Sequence, residues 1–436
     1  MAQLSENFLF FIWQYRLFDS TSISCTNGQS LRIIHPGVIN KHAGPDFTEA
    51  KVIIDGTTWV GNVEIHIKSS DWLLHKHHQN SAYESVILHV VYEDDHSAVT
   101  KSERCIATLV LKGSFSEAML FTYASMLNSA CYFPCKAQIS QVDHIAMKSF
   151  LSRMLVERYE QKTAEVFQVL NRYKGDWNET FYYFLARNFG FKVNALPFEL
   201  TAGSLPYQVL VKHHQNALQT EALLFGQAGF LEQHVEGAYP LGLQKEYQFL
   251  KHKYKLKPIE VSVWKFLRMR PMNFPTVRLA QFAALQQMAM HLFSKIIEEP
   301  NLNTINRLFE NLPTNEYWTT HYHFGKSTKM GDRRLGAKSI ENIMINTVCL
   351  FLFAYGKYAD QEELIDRAMD FLEQIPAERN SIVTQYIESG VVVDSAFCSQ
   401  SVLQLNKYYC GQKKCLNCGI GINLLKKDVS KNRNLF

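Results

Sequence analysis

Five consecutive residues, Glu64-Ile65-His66-Ile67-Lys68, alternate side chains that can do chemistry with aliphatic ones. On a strand, successive side chains point to opposite faces, so the carboxylate, the imidazole and the ammonium share one face while the isoleucines enter a core. Such a face is costly to bury unless partners or a metal ion satisfy it. The run therefore predicts a metal-dependent active site. His75, His77, His78 and His89 crowd the same region. With Glu64 and His66 they would make an acceptable zinc or manganese site that keeps a position open for a hydrolytic water. The competing reading makes His75 to His78 a solvated helix start and His89 a hydrogen-bonded, half-buried residue.

A second metal signal lies near the C-terminus, where Cys410-x4-Cys415-x2-Cys418 is followed by Gly419 and Gly421. Two cysteines so close can hold one ion from a tight turn, and the glycines let the backbone fold around it. Cys398, on the helix that leads in, is the expected fourth ligand, with Cys131 and Cys135 as the runner-up pair. Four thiolates fit structural Zn²⁺, the preferred reading, or an iron–sulfur cluster. Unliganded reduced thiols are the alternative. Cys25, Cys105 and Cys349 stand alone and read as small core residues.

Two basic segments could meet a polyanion. Arg268, Arg270 and Arg278 surround a Pro-rich break that starts a helix at Thr276, a natural place for phosphate. Arg333 and Arg334 follow an aromatic run of Tyr317, Trp318, Tyr322 and Phe324, a mixture that can stack on single-stranded nucleic acid. The commoner uses are structural: arginines that lock helices together and aromatics that pack.

The elements that must position these groups divide by character near residue 115. Ser5 can cap a helix from about Glu6 to Phe18. Strand-like runs follow at Leu31 to Ile34, Thr48 to Ile54 and Trp59 to Lys68, with Asp55-Gly56 as a hairpin turn. A polar helix from Asp71 to Tyr83, a strand from Ser85 to Tyr92 and another near Ile106 to Leu111 complete a unit over residues 1–115. Beyond it nearly everything has helical period, including runs at 149–170, 176–188, 259–267, 276–298 and 338–354. Asp176 to Glu179 has capping-box spacing ahead of the second of these. The expected class is α+β: an N-terminal α/β domain of helix, three strands, helix and strand, then a larger, mainly α-helical domain over 116–436.

Charge follows the same division. Residues 1–110 hold 8 Lys/Arg and 12 Asp/Glu of the chain's 45 and 41, so the first part is acidic and the rest is basic. An acidic unit suits a cation, and a basic one suits nucleic acid. The last stretch, 405–436, sets seven Lys/Arg against Asp428 alone. The run Phe8 to Trp13 has no basic residue before it and is broken by Gln14, Tyr15 and Arg16, so it does not read as a signal peptide. No later stretch reads as the roughly 18–20 apolar residues that span a bilayer, and a cytoplasmic protein is expected.

The order of elements, with Asp46 after Gly44-Pro45 and Glu64 on the next strand, resembles the restriction-endonuclease-like, or PD-(D/E)XK, superfamily over residues 5–95. The resemblance implies that Asp46 and Glu64, with the Ile65 carbonyl, hold Mg²⁺ or Mn²⁺ for phosphodiester hydrolysis. It also implies a lysine two residues after the Glu, where this chain has His66; Lys68, further along the same face, is the candidate substitute. Glu6 stands where some members carry a further carboxylate. Separately, the segments Gly44–Phe47, Gly61–Trp72, Arg268–Phe282 and Cys410–Gly421 resemble a bacterial family, known mainly from Bacteroidetes, defined only as a domain of unknown function.

Overall fold

The N-terminal sheet is built outward from one tight turn. In the computed structural model, which describes residues 4–19, 23–331 and 333–433, Asp55 and Gly56 both have positive φ. That geometry matches the twist of the strands it joins, so β3 (Phe47–Ile54) and β4 (Thr57–Lys68) pair antiparallel as expected. Asp55 Oδ1 accepts the Ser30 amide at 2.8 Å, which brings β1 (Leu31–His35) against the outer edge of β3. The short β2 (Val38–Ile39) also pairs with β3. An extra residue bulges β3 between Phe47 and Ala50, where Glu49 takes φ +59°.

On the other side, β5 (Val86–Glu93) runs parallel to β4, and β6 (Ala107–Val110) runs parallel to β5. A parallel pair needs a crossover. Residues 69–85 supply it, but not as the single helix expected from Asp71 to Tyr83. Helix α2 (Asp71–Leu74) stops where Lys76 enters the left-handed region at φ +60°, and two 3₁₀ turns, His77–Gln79 and Ser81–Tyr83, follow. Trp72 and Tyr83 from this crossover pack with Val86, Ala98 and Ile106.

Helix α1 (Glu6–Gln14) starts at Ser5, whose Oγ accepts the Phe8 amide, and ends earlier than expected, with Arg16 at φ +51°. Its buried Phe8, Leu9, Phe11, Ile12 and Trp13 surround the axis, and Phe10 meets Phe47 of β3 edge-on at 5.9 Å. The β4–β5 approach is close at Gly61. A Cβ there would lie 2.5 Å from Ile87 Cγ2 and 2.6 Å from the Ser85 carbonyl oxygen. Gly61→Ala is therefore expected to destabilise the protein by about 1–3 kcal/mol. Thermal unfolding checks this, and an unchanged midpoint would show that the strands give way there.

The chain groups into two compact units. The first holds residues 1–152, 380–392 and 402–436, so the C-terminal cysteines belong with the sheet; the second holds 153–379 and 393–401. The side chains of residues 428–433, Asp428, Lys431 and Arg433 among them, lie outside the described part. The protein is thus mixed α+β, with an N-terminal sheet and a larger helical part. In the second unit the expected helix over 259–267 is extended chain with one 3₁₀ turn, Val261–Val263. It is held by Ile259 N–H to the Gln227 carbonyl and Trp264 Nε1–H to the Ala228 carbonyl. The run 276–298 is two helices, Pro275–Met288 and Leu292–Glu298, broken at His291 with φ +56°. Among the described residues, the helix long and apolar enough to cross a membrane is Ala337–Ala359, and 72% of its most apolar window is buried. It lies within the helical core, with a π-turn at Met344–Val348 whose Ile345 carbonyl takes the Tyr159 hydroxyl at 2.9 Å.

Candidate metal centre

Asp46 and Glu64 meet because β3 and β4 are neighbours in register, Phe47 opposite Val63. They are clasped through the backbone: the Asp46 amide donates to Glu64 Oε2 at 3.0 Å, and the Ile65 amide donates to Asp46 Oδ2 at 2.9 Å. One oxygen of each carboxylate is thereby fixed. The Asn40 side chain holds the turn from outside by donating to the Pro45 carbonyl at 2.9 Å.

Two imidazoles approach Glu64 Oε1, and a third joins them. His66, two residues along β4, shares the face of Glu64, as the alternation predicts, with its Nε2 3.6 Å from that oxygen. His77 Nε2 is 3.1 Å from the same oxygen, and His75 Nδ1 is 3.1 Å from His66 Nε2. The ligating atoms of His66, His75 and His77 all lie within 4.8 Å of one another. Two donors bound at about 2.1 Å to one ion lie roughly 3.0–3.4 Å apart. These spacings are close to those of a ligand set. His77 Nε2 is buried and makes no hydrogen bond, although Glu64 Oε1 lies 3.1 Å away. A buried nitrogen in that state calls for a partner, and an ion or a water can supply it.

Behind this group stands His89, fully buried on β5 directly opposite Glu64, with its Nε2 2.9 Å from His66 Nδ1. A ligating histidine is commonly oriented through its second nitrogen in this way. Tyr83 stacks on the His77 ring at 3.8 Å, and Trp72 stands edge-on to it at 5.2 Å. Sequence reasoning did not select these two; their place on the crossover between two site strands was the available signal. It also left open whether His75 and His77 were merely solvated. The left-handed Lys76 answers that, because it turns His77 back towards Glu64 while His75 stays exposed.

Electrostatically the site lacks a positive charge. Burial, and for Asp46 the neighbouring Glu64, push both carboxyls up to about 7. Burial also raises Glu6, whose charge bears on Asp46 and Glu64 from α1. Burial, reinforced by the other histidines, lowers His66 to about 2; burial, with His77, lowers His89 to about 3. His77 is lowered by burial too. The imidazoles of His66, His77 and His89 are thus held towards the neutral form, which is the form that binds metal.

Lys68 is not brought into this group. It is exposed at the end of β4, its amide donates to Asp71 at 3.0 Å, and its charge bears on Asp95. His78 is half-buried beside Gln79. The arginines lie in the second unit. Arg278 is buried, donating to Gln281, Asn273 and Ser339 with Phe191 beneath its guanidinium, and burial lowers it to about 10. Arg333 is buried over Tyr322 at 3.8 Å, and both therefore have packing roles. Arg268, Arg270 and Arg334 are exposed. Cys398 also lies in the second unit, where its thiol bonds to Asp394 and Ser395; Cys135, Cys410, Cys415 and Cys418 are all in the first.

No curated protein and no solved structure matches the chain significantly. The model of one family, described as a protein of unknown function, DUF2851, matches residues 6–381. That span is most of the chain, and the protein belongs to this family.

Proposed function

We propose that the protein is a divalent-metal-dependent hydrolase, nuclease-like in its N-terminal unit, acting on phosphodiesters of nucleic acid. The observation that supports it is the convergence of Asp46 and Glu64 with His66, His75 and His77. The three imidazoles, with Glu64 Oε1 beside His66 and His77, would hold the ion, which would polarise a phosphodiester and acidify a water beside it. Asp46, with one oxygen committed to the Ile65 amide, has the other to accept a proton from that water; Glu6 adds a carboxylate whose charge bears on both. His89 keeps the His66 ring oriented. Helix, antiparallel strands, crossover and parallel strand follow in the order that resembles the PD-(D/E)XK superfamily, which supports a phosphodiester over other substrates. The exposed Arg268, Arg270 and Arg334 are candidates for backbone contacts with nucleic acid.

The imidazoles favour a second reading, a zinc hydrolase of a small substrate, because three nitrogens suit zinc better than Mg²⁺. A third, a binding protein with a degenerate nuclease fold, rests on His66 at the lysine position. Purified protein with Mg²⁺, Mn²⁺ or Zn²⁺ should cleave DNA or RNA. Cleavage of only a small phosphodiester or ester would favour the second reading. Binding without cleavage that weakens as salt rises would favour the third.

A further inference from the structure

We infer that a cleft in the second unit, walled by Lys162, Arg187 and Lys192, binds a dianionic phosphate group, either as free phosphate or as the head of a small phosphate monoester. The cleft has a volume of about 310 Å³, and every residue that lines it belongs to the second unit. That size is at the lower end of the range for small-ligand pockets. Three basic side chains line it against one carboxylate, Glu165. None of these residues belongs to the candidate metal centre, and a ligand here would bind whether or not that centre hydrolyses anything.

The basic groups differ in how they are held. Arg187 Nη1 donates to Glu165 Oε1 at 2.5 Å and its Nε lies 3.5 Å from Glu199 Oε2, so two carboxylates fix the guanidinium. Lys162, half-buried on the helix His144–Arg172, donates to Asn346 Oδ1 at 2.9 Å. An ammonium has three donors, and a neutral amide satisfies one of them without supplying charge. That amide is oriented from its other end, where Asn346 Nδ2 donates to the Asn342 carbonyl at 3.1 Å. Among the described residues, neither Lys162 nor the exposed Lys192 has a carboxylate within ion-pair distance. Two lysines without a counter-charge match the roughly −1.5 to −2 carried by a phosphate group near pH 7. A single carboxylate would leave one of them uncompensated.

Two irregular pieces of backbone meet at the cleft. Asn346 sits in the π-turn Met344–Val348, a form of helix that recurs at functional sites. Phe191, on the wall, takes φ +49°, an uncommon conformation for a bulky residue. Burial, followed by the Arg158 charge, draws the Lys162 amine down to about 7, although Glu378 and Glu165 oppose this. The fold alone thus leaves this cation under-compensated, and a phosphate beside it would favour the charged form.

The test is calorimetric titration of inorganic phosphate and of adenosine 5′-monophosphate into the full chain, with EDTA present to keep the metal centre empty. About one saturable site per chain is expected. Tighter binding of the nucleotide identifies a monoester as the ligand, and binding of inorganic phosphate alone identifies the free ion; either supports the assignment. Lys162→Met, which keeps an unbranched side chain, should weaken binding by about tenfold or more, and Lys192→Gln by about two- to fivefold. Asn346→Asp gives Lys162 an internal counter-ion, so it should weaken binding by about tenfold while the thermal unfolding midpoint holds or rises. That variant decides the matter where Lys162→Met does not fold. Absence of saturable binding for both probes overturns the inference. So does binding equally tight in the wild type and in folded Lys162→Met or Asn346→Asp, which would leave Lys162 a purely structural partner of Asn346.

Discussion

Asp46→Asn and Glu64→Gln are expected to abolish metal-dependent cleavage, by a factor of about 100 or more, while making the metal-free protein more stable at pH 8. Each amide keeps the oxygen that accepts a backbone amide, so the clasp between β3 and β4 survives. What is lost is a negative ligand or base; what is removed with it is a buried charge. In the metal-free fold each carboxyl keeps its proton until about pH 7, whereas in the unfolded chain it ionises near 4. The stability contributed by the neutral carboxyl is complete below about pH 4 and is lost as pH rises through about 7. The variants should therefore gain on the wild type above pH 7, by on the order of 1–3 kcal/mol, and lose that advantage in acid. Unfolding midpoints at pH 4 and 8, alongside a cleavage assay, measure both effects. Cleavage that persists would sink the proposed function, and destabilisation at pH 8 would make the carboxylates structural acceptors.

The wild type is expected to bind Mn²⁺ or Zn²⁺ at least about 100-fold more tightly than Mg²⁺, because imidazole nitrogens suit transition metals and a Mg²⁺ ion prefers oxygen and water. His77→Gln and His75→Ala should shrink that ratio to about tenfold or less, with Mg²⁺ affinity little changed. Affinity for every ion should fall as pH drops below 7, where protons compete for Asp46 and Glu64. Calorimetric titration of each ion into each variant is the measurement. A ratio that ignores both substitutions would place the ion on the carboxylates alone, as the resemblance to the nucleases implied.

Much of this site was readable from short-range rules. The Asp55-Gly56 turn sets the β3–β4 register, and period two along β4 puts Glu64 and His66 on one face, so neighbours in sequence become neighbours in space. The same rule placed Lys68 with them. It failed there because β4 ends at Lys68, where Asp71 takes the backbone amide and the side chain leaves the sheet. A helix from Asp71 to Tyr83 satisfied local propensity, yet Trp72, His77 and Tyr83 gain more by packing on the buried face of the sheet, and a left-handed Lys76 allows it.

The sequence by itself determined which residue types could bind metal, the turn that pairs Asp46 with Glu64, and the helical character of the larger part. Tertiary structure alone decided the partners that lie far apart in the chain. It brought His77 to 3.1 Å from Glu64, put His89 behind His66, enclosed Arg278 among neutral acceptors, and stacked Phe133 on Tyr386. Spacing along a chain reports only what one turn or one strand can bring together, and these contacts depend on the burial of whole aromatic faces between distant segments.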